Sequence, residues 1–268
     1  MGSQNLKKGV RGSKINLISR NPTKRDFTAI SKKIADWLEQ KTREAGAEGI
    51  VVGLSGGVDS AVVLGLAKNA VGHESLGIIM PCESEHQDTE HAQLVADSLG
   101  VQTETVSLDK IYQDFLEQLP EEDSSLARAN IKPRLRMTSL YFFANVRNNL
   151  VAGTGNRTEL ALGYFTKYGD GGADILPIGG LLKSEVRELA RELSIPEVVI
   201  NKPPSAGLWP GQTDESEIGL SYDVIDEIVD ALQTGREPQA DPDAVKKVRS
   251  MIEKAQHKRT LPEIYRNW

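Results

Sequence analysis

Cysteine is almost absent: Cys82 is the only one in 268 residues. One thiol excludes an intramolecular disulfide and a multi-cysteine zinc site within a single chain. It fits a reducing, cytoplasmic setting. Positive charge is also in short supply. With 32 Lys and Arg against 38 Asp and Glu the net charge is −6, which argues against a general nucleic-acid binder, because such a surface must neutralise phosphates. A local basic pocket remains compatible with that total. No apolar run reaches the length of a membrane span and no charged-then-apolar leader opens the chain, so no membrane association is expected. Internal repeats and low-complexity tracts are missing too. What remains is the make-up of an ordinary globular protein, 39% hydrophobic and 26% charged, long enough to bury a sizeable core. The simplest organisation is a flexible polar arm over residues 1–25 followed by one domain over 26–268.

Along that domain, strand and helix patterns alternate. Ile30, Ile34, Trp37 and Leu38 recur at helical spacing from Asp26 onward, with Gly46 and Gly49 as the stop. The run Ile50-Val51-Val52-Gly53-Leu54 is short, apolar and rich in β-branched residues, as expected of a buried parallel strand. A glycine-rich turn follows, then a helix from Ala61. Further strands are expected at 76–80, 101–106 and 150–153. Helices are expected at 86–99, 108–119, 124–149 with a break at Pro133, from Asn156, and at 183–193, 214–232 and 243–255. Tyr168 to Gly180 and Pro196 to Gly211 read as loops. This order predicts an α/β fold, a Rossmann-like parallel sheet flanked by helices. Trp209 and Trp268 read as packing residues.

The chemistry is concentrated in Ser55-Gly56-Gly57-Val58-Asp59-Ser60, between a strand and a helix. Paired glycines let backbone N–H groups approach an anion, and the helix N-terminus adds a favourable dipole. Ser55 and Ser60 can donate from their hydroxyls. Asp59 is the informative oddity, since a bare carboxylate repels phosphate; a Mg²⁺ bridging the two removes the conflict. The turn lacks the Gly-x-x-x-x-Gly-Lys-Ser/Thr spacing of the Walker type and the Gly-x-Gly-x-x-Gly of dinucleotide folds. A zinc site at Cys82, His86, Glu90 and His91 is disfavoured, because the five-residue step between the histidines misses one helix face.

Ser-Gly-Gly-x-Asp-Ser after a buried strand resembles the pyrophosphate loop of the N-type ATP pyrophosphatases, which cleave ATP to AMP and pyrophosphate. That loop alone does not choose among NAD synthetases, GMP synthetases, asparagine synthetases and tRNA-thiolating enzymes. Later segments do. Asn130-Ile131-Lys132-Pro133-Arg134-Leu135-Arg136-Met137, Gly153-Thr154-Gly155-Asn156-Arg157-Thr158-Glu159, Thr166 to Asp174 and Lys202 to Leu208 with Asp214-Glu215 are similar, in order, to NAD synthetase motifs.

Matched position by position, the resemblance implies that Gly53, Leu54, Ser55, Gly56, Gly57, Val58, Asp59 and Ser60 bind ATP, with Thr154, Lys183 and Ser205. It implies that Asp59 and Glu159 hold Mg²⁺, and that Arg134, Lys167, Asp174, His257 and Lys258 contact deamido-NAD. Asp59, Lys183 and Asp174 form the implied catalytic group. Val58 stands where many relatives have Gln, and Ser205 where many have Thr. The activity implied is ATP-dependent amidation of deamido-NAD with ammonia through an adenylylated carboxylate, in a homodimer with the dinucleotide bound across the interface. The alternative is another ATP pyrophosphatase, such as a tRNA-modifying or GMP synthetase-like ligase.

Overall fold

The computed structural model describes residues 25–121, 123–207, 209 and 211–266. The expected arm thus lies outside the described residues except for Arg25, which pairs with Glu185 at 2.8 Å; Trp268 lies outside them as well. Helix α1 (Phe27–Glu44) starts where Asp26 accepts the Ala29 N–H at 3.0 Å. It ends at Ala45, before both glycines named for that role. Gly49 instead opens β1 (Gly49–Gly53). Next come α2 (Val58–Val71), β2 (Ser75–Ile79), α3 (His86–Leu99), β3 (Gln102–Thr105), α4 (Asp109–Glu117), α5 (Ser125–Ala129), α6 (Ile131–Arg147) and β4 (Asn149–Ala152). The remaining helices are α7 (Arg157–Leu162), α8 (Lys183–Glu192), α9 (Glu197–Ile200), α10 (Asp214–Ile218), α11 (Tyr222–Thr234) and α12 (Pro242–Lys254).

Four further expectations need correction. The break expected at Pro133 falls at Asn130, and Pro133 sits in the first turn of α6, where its missing N–H leaves nothing unsatisfied. The single helix expected over 214–232 is two. Gly219 adopts φ +70, its N–H closes α10 onto the Glu215 carbonyl at 2.7 Å, and the chain restarts after Ser221. The loop expected over 196–211 contains the single turn α9. Trp209, expected to pack, is 40% exposed.

The four strands are all parallel, in the order β3-β2-β1-β4. Alternation of side chains across the pleat builds two cores from one strand. Ile50 and Val52 face Leu38, Val62, Leu66, Val186 and Leu189 of α1, α2 and α8, whereas Val51 faces Tyr112 and Ala144 of α4 and α6. A third cluster joins α7 to α11 and α12 through Leu162, Ile225, Ile228, Val229 and Val248. The outer strand β3 carries Gln102, Thr103, Glu104 and Thr105, polar side chains that suit an edge.

Strand order fixes where a site can form. The chain leaves β1 for β2 on one side and reaches β4 on the other, so a crevice opens between the carboxyl ends of β1 and β4. The helices that follow those two strands, α2 and α7, carry Asp59 and Glu159 in their first turns.

Candidate active site

At the end of β1, Leu54 donates its N–H to the Ile78 carbonyl at 2.8 Å, so the chain turns only after Gly53. Gly56 holds φ +75, and a Cβ there would stand 2.2 Å from the Asp88 carbonyl of α3. Both facts demand glycine. Gly57 is the N-cap of α2, and buried Val58, half-buried Asp59 and buried Ser60 form its first turn. The serine hydroxyls brace this turn. Ser60 Oγ accepts from the Ser55 N–H at 3.2 Å and donates to the Gly57 carbonyl at 2.9 Å, while Ser55 Oγ lies 3.1 Å from it. The Ser60 proton is therefore committed to the loop's shape.

Three charged side chains meet beside that turn. Lys183 Nζ, from the first turn of α8, lies 2.5 Å from Asp59 Oδ2 and 3.0 Å from Glu159 Oε1. Lys183 is only 2% exposed. Burial works against its charge, but Asp59 and Glu159 outweigh it and hold the ammonium's pKa above its ordinary value. Burial pushes Glu159 up to about 7; the Lys183 ammonium opposes that rise and the Asp59 carboxylate adds to it. The ammonium also stands over the Tyr222 ring, 5.1 Å from its centroid.

Asn156 organises the two carboxylates. As the N-cap of α7, its Oδ1 accepts the Glu159 N–H at 3.0 Å while Glu159 Oε2 accepts the Asn156 N–H at 3.2 Å, a reciprocal capping box. Its Nδ2 donates to Asp59 Oδ1 at 2.8 Å. Sequence reasoning missed this residue, although Asn-x-x-Glu ahead of a helix is the signal that would have found it.

Asp59 and Glu159 converge on one cationic centre, here the Lys183 ammonium. Two carboxylates supplying hard oxygens, with the remaining positions left to phosphate oxygens and water, are a donor set that suits Mg²⁺. The residues present fit the ion.

The other expected residues fall into separate groups. Arg134 donates to the Lys167 carbonyl at 3.4 Å, and Lys167 Nζ to the His257 carbonyl at 2.6 Å, so these three form a chain of contacts. Lys258 donates to the Gly163 and Phe165 carbonyls, each at 2.7 Å. A cavity of about 380 Å³ links this region to the charged trio, with Thr154, Glu159, Phe165, Asp170 and Lys258 in its wall. Asp170 was not singled out from the sequence. It is exposed, and its Oδ1 accepts the Thr166 N–H at 2.8 Å.

Two expected residues stand apart from the trio. Asp174 is exposed, with Oδ1 accepting from Tyr141 OH at 3.0 Å and Oδ2 from the Val151 N–H at 2.8 Å. Ser205 is exposed on the 201–213 loop and accepts the Gly207 N–H at 3.0 Å. That loop is tied to α3 by the Lys202–Asp88 ion pair, and Asp88 is the residue whose carbonyl abuts Gly56.

Comparison with known proteins meets this geometry. The NAD synthase family model matches residues 30–262. The chain belongs to the NAD synthase family. Within the family it is similar to the NH3-dependent NAD+ synthetase of Carboxydothermus hydrogenoformans, 54% identical over 87% of this chain and 96% of that one. The corresponding protein of Archaeoglobus fulgidus is 46% identical over 90% and 98%. Among solved NAD synthase-like structures, the NMN synthetase of Francisella tularensis superposes with a TM-score of 0.85 at 37% identity, covering 91% of this chain and 100% of that one.

Proposed function

We propose that this chain makes NAD from deamido-NAD, ATP and ammonia, releasing AMP and pyrophosphate. The nicotinate carboxylate attacks the α-phosphorus of ATP and the bond to pyrophosphate breaks. Ammonia then attacks the carbonyl carbon of the mixed anhydride, AMP departs, and loss of a proton leaves the amide. The observation that carries this reading is the convergence of Asp59, Glu159 and Lys183 beside a glycine turn at the carboxyl edge of β1 and β4.

In this reading Gly53 to Ser60 cradle the ATP phosphates, and Thr154 and Ser205 contact the nucleotide. Lys183 places its ammonium against the charge that grows on the departing pyrophosphate. Asp59 and Glu159 would hold Mg²⁺, which when bound supplies further charge neutralisation to that leaving group. Arg134, Lys167, Asp174, His257 and Lys258 hold deamido-NAD. No side chain acts as a nucleophile; positioning and fixed charge do the catalysis.

A homodimer supports the second substrate. Phe115, Leu119, Leu126, Phe142 and Val146, on α4, α5, α6 and the linker after α4, are 42–67% exposed, apolar side chains available to an interface. Arg134 shares with Phe115 and Leu119 the wall of an apolar groove of about 540 Å³. A buried lone thiol, Cys82, suits a cytoplasmic enzyme.

The experiment supplies ATP, Mg²⁺ and ammonium with one acceptor at a time and measures pyrophosphate. Release that requires deamido-NAD, with NAD as product, supports the proposal. Turnover only with xanthosine monophosphate or tRNA ends it. Because one similar structure is that of an NMN synthetase, nicotinate mononucleotide is the second acceptor. A higher kcat/KM with it would move the substrate from dinucleotide to mononucleotide and leave the chemistry intact.

A further inference from the structure

Helix α8 is capped from within only at Leu182, whose N–H donates to Glu185 Oε2 at 2.9 Å. Its N-cap is Leu182, whose side chain has no oxygen, yet the N–H groups of buried Lys183 and half-buried Ser184 need acceptors. They find them on other helices. The Lys183 N–H donates to Thr158 Oγ1 of α7 at 3.2 Å, and the Ser184 N–H donates to Asp226 Oδ2 of α11 at 2.9 Å. The Thr158 hydroxyl passes its own proton to Asp226 Oδ1 at 2.5 Å. Asp226 is 4% exposed and Thr158 fully buried. One carboxylate from α11 thus serves as a borrowed cap for α8, and its negative charge sits at the positive end of that helix.

The residues joined by this cap are neighbours of the charged trio. Lys183 is the residue whose N–H is held, and Glu159 follows Thr158 in α7. We infer that Asp226 is a positioning residue: by fixing the α8 N-terminus against α7, it sets where the Lys183 ammonium stands between Asp59 and Glu159. Asp226 touches no substrate in this scheme and acts only through Thr158 and Ser184. The inference rests on the synthetase reading for its activity arm, and stands independently of it in its binding arm.

Asn at this position is a poor substitute. With its single carbonyl oxygen on the Ser184 N–H, its NH₂ would face Thr158 and leave the Thr158 hydroxyl proton without the acceptor it now has. The test compares Asp226→Asn and Thr158→Val with Asp230→Asn. Asp230, on the next turn of α11, holds Arg157 of α7 and Arg236, each at 2.9 Å. Melting temperature, calorimetric affinity for α,β-methylene-ATP with Mg²⁺, and kcat and KM are measured on the full chain, well below the lowest melting point.

Expected are a fall in kcat of about 10- to 100-fold for Asp226→Asn and Thr158→Val, and analogue binding weakened about fivefold or more. The double variant should be no worse than the poorer single, because both act on one path. Thr158→Ser restores turnover. Asp230→Asn stays within roughly twofold at a comparable loss of melting temperature. If Asp226→Asn keeps kcat and analogue affinity within that range, or loses no more than Asp230→Asn, the inference is overturned. Should Asp226→Asn fail to fold, Thr158→Val decides by the same readings. A wild-type chain that binds the analogue but makes no NAD refutes the synthetase reading alone, and the binding arm still judges Asp226.

Discussion

Asp59 does two jobs with two oxygens. Oδ1 is held by Asn156 and Oδ2 faces Lys183. Asp59→Asn keeps the shape and removes the charge, so turnover should fall by about 10²- to 10³-fold, the usual cost of losing one preorganised electrostatic group. Melting temperature should move by only a few degrees, about what 1 kcal/mol produces in a domain of this size. Steady-state kinetics beside a melting curve checks the pair; near-full rate would show the assignment of this carboxylate to be wrong. Gly56→Ala is expected to behave in the opposite way. The alanine must adopt a left-handed conformation costing about 1–2 kcal/mol, and its Cβ must push back the Asp88 carbonyl. Denaturant unfolding should show at least that loss, with ATP affinity falling alongside.

At the scale of elements, much of the architecture was legible because it is local. The β-branched run at 50–52, the glycines at 56 and 57 and the alternation that follows are contiguous signals, and α3 matches its expected bounds of 86–99. What stayed hidden depends on pairs far apart in the chain. Nothing in the residues around Asp59 says that Asn156 will reach it, nor that Asp226 will close α8 from another helix. Those contacts follow from strand order, which juxtaposes the β1 and β4 loops. The split at Gly219 was hidden for another reason: charged and apolar residues keep helical spacing on both sides of it, and only the backbone conformation reveals the turn. The capping box of α7 yields a prediction at this scale. Asn156→Ser keeps a capping oxygen but is too short to reach Asp59. Stability should drop by about 1 kcal/mol or less, whereas kcat should fall by about tenfold or more, as a misplaced catalytic group requires. Equal, small effects on both would show that the Asn156–Asp59 contact is dispensable.

For the whole molecule, the proposed homodimer can be tested at the exposed apolar side chains of α4 to α6. Phe142 is 63% exposed and packs edge-to-face on Phe143 at 5.5 Å. Phe142→Glu should leave the folded monomer intact, since the side chain is largely outside the core. If the proposed homodimer forms through these side chains, the substitution should convert the sedimenting species from dimer to monomer and raise KM for deamido-NAD more than KM for ATP. A variant that sediments as the wild type does would move the interface elsewhere.

The burial of Cys82 has a practical side. Its side chain is wholly enclosed between β2 and the helices below it, and burial raises its thiol's pKa, so maleimides and spin labels will pass it by. A thiol engineered at Gln102, on the polar rim of the sheet and two strands from the crevice, would be the sole reactive handle on the described surface. Fluorophores, tethers or distance probes can then be attached without first removing the native residue.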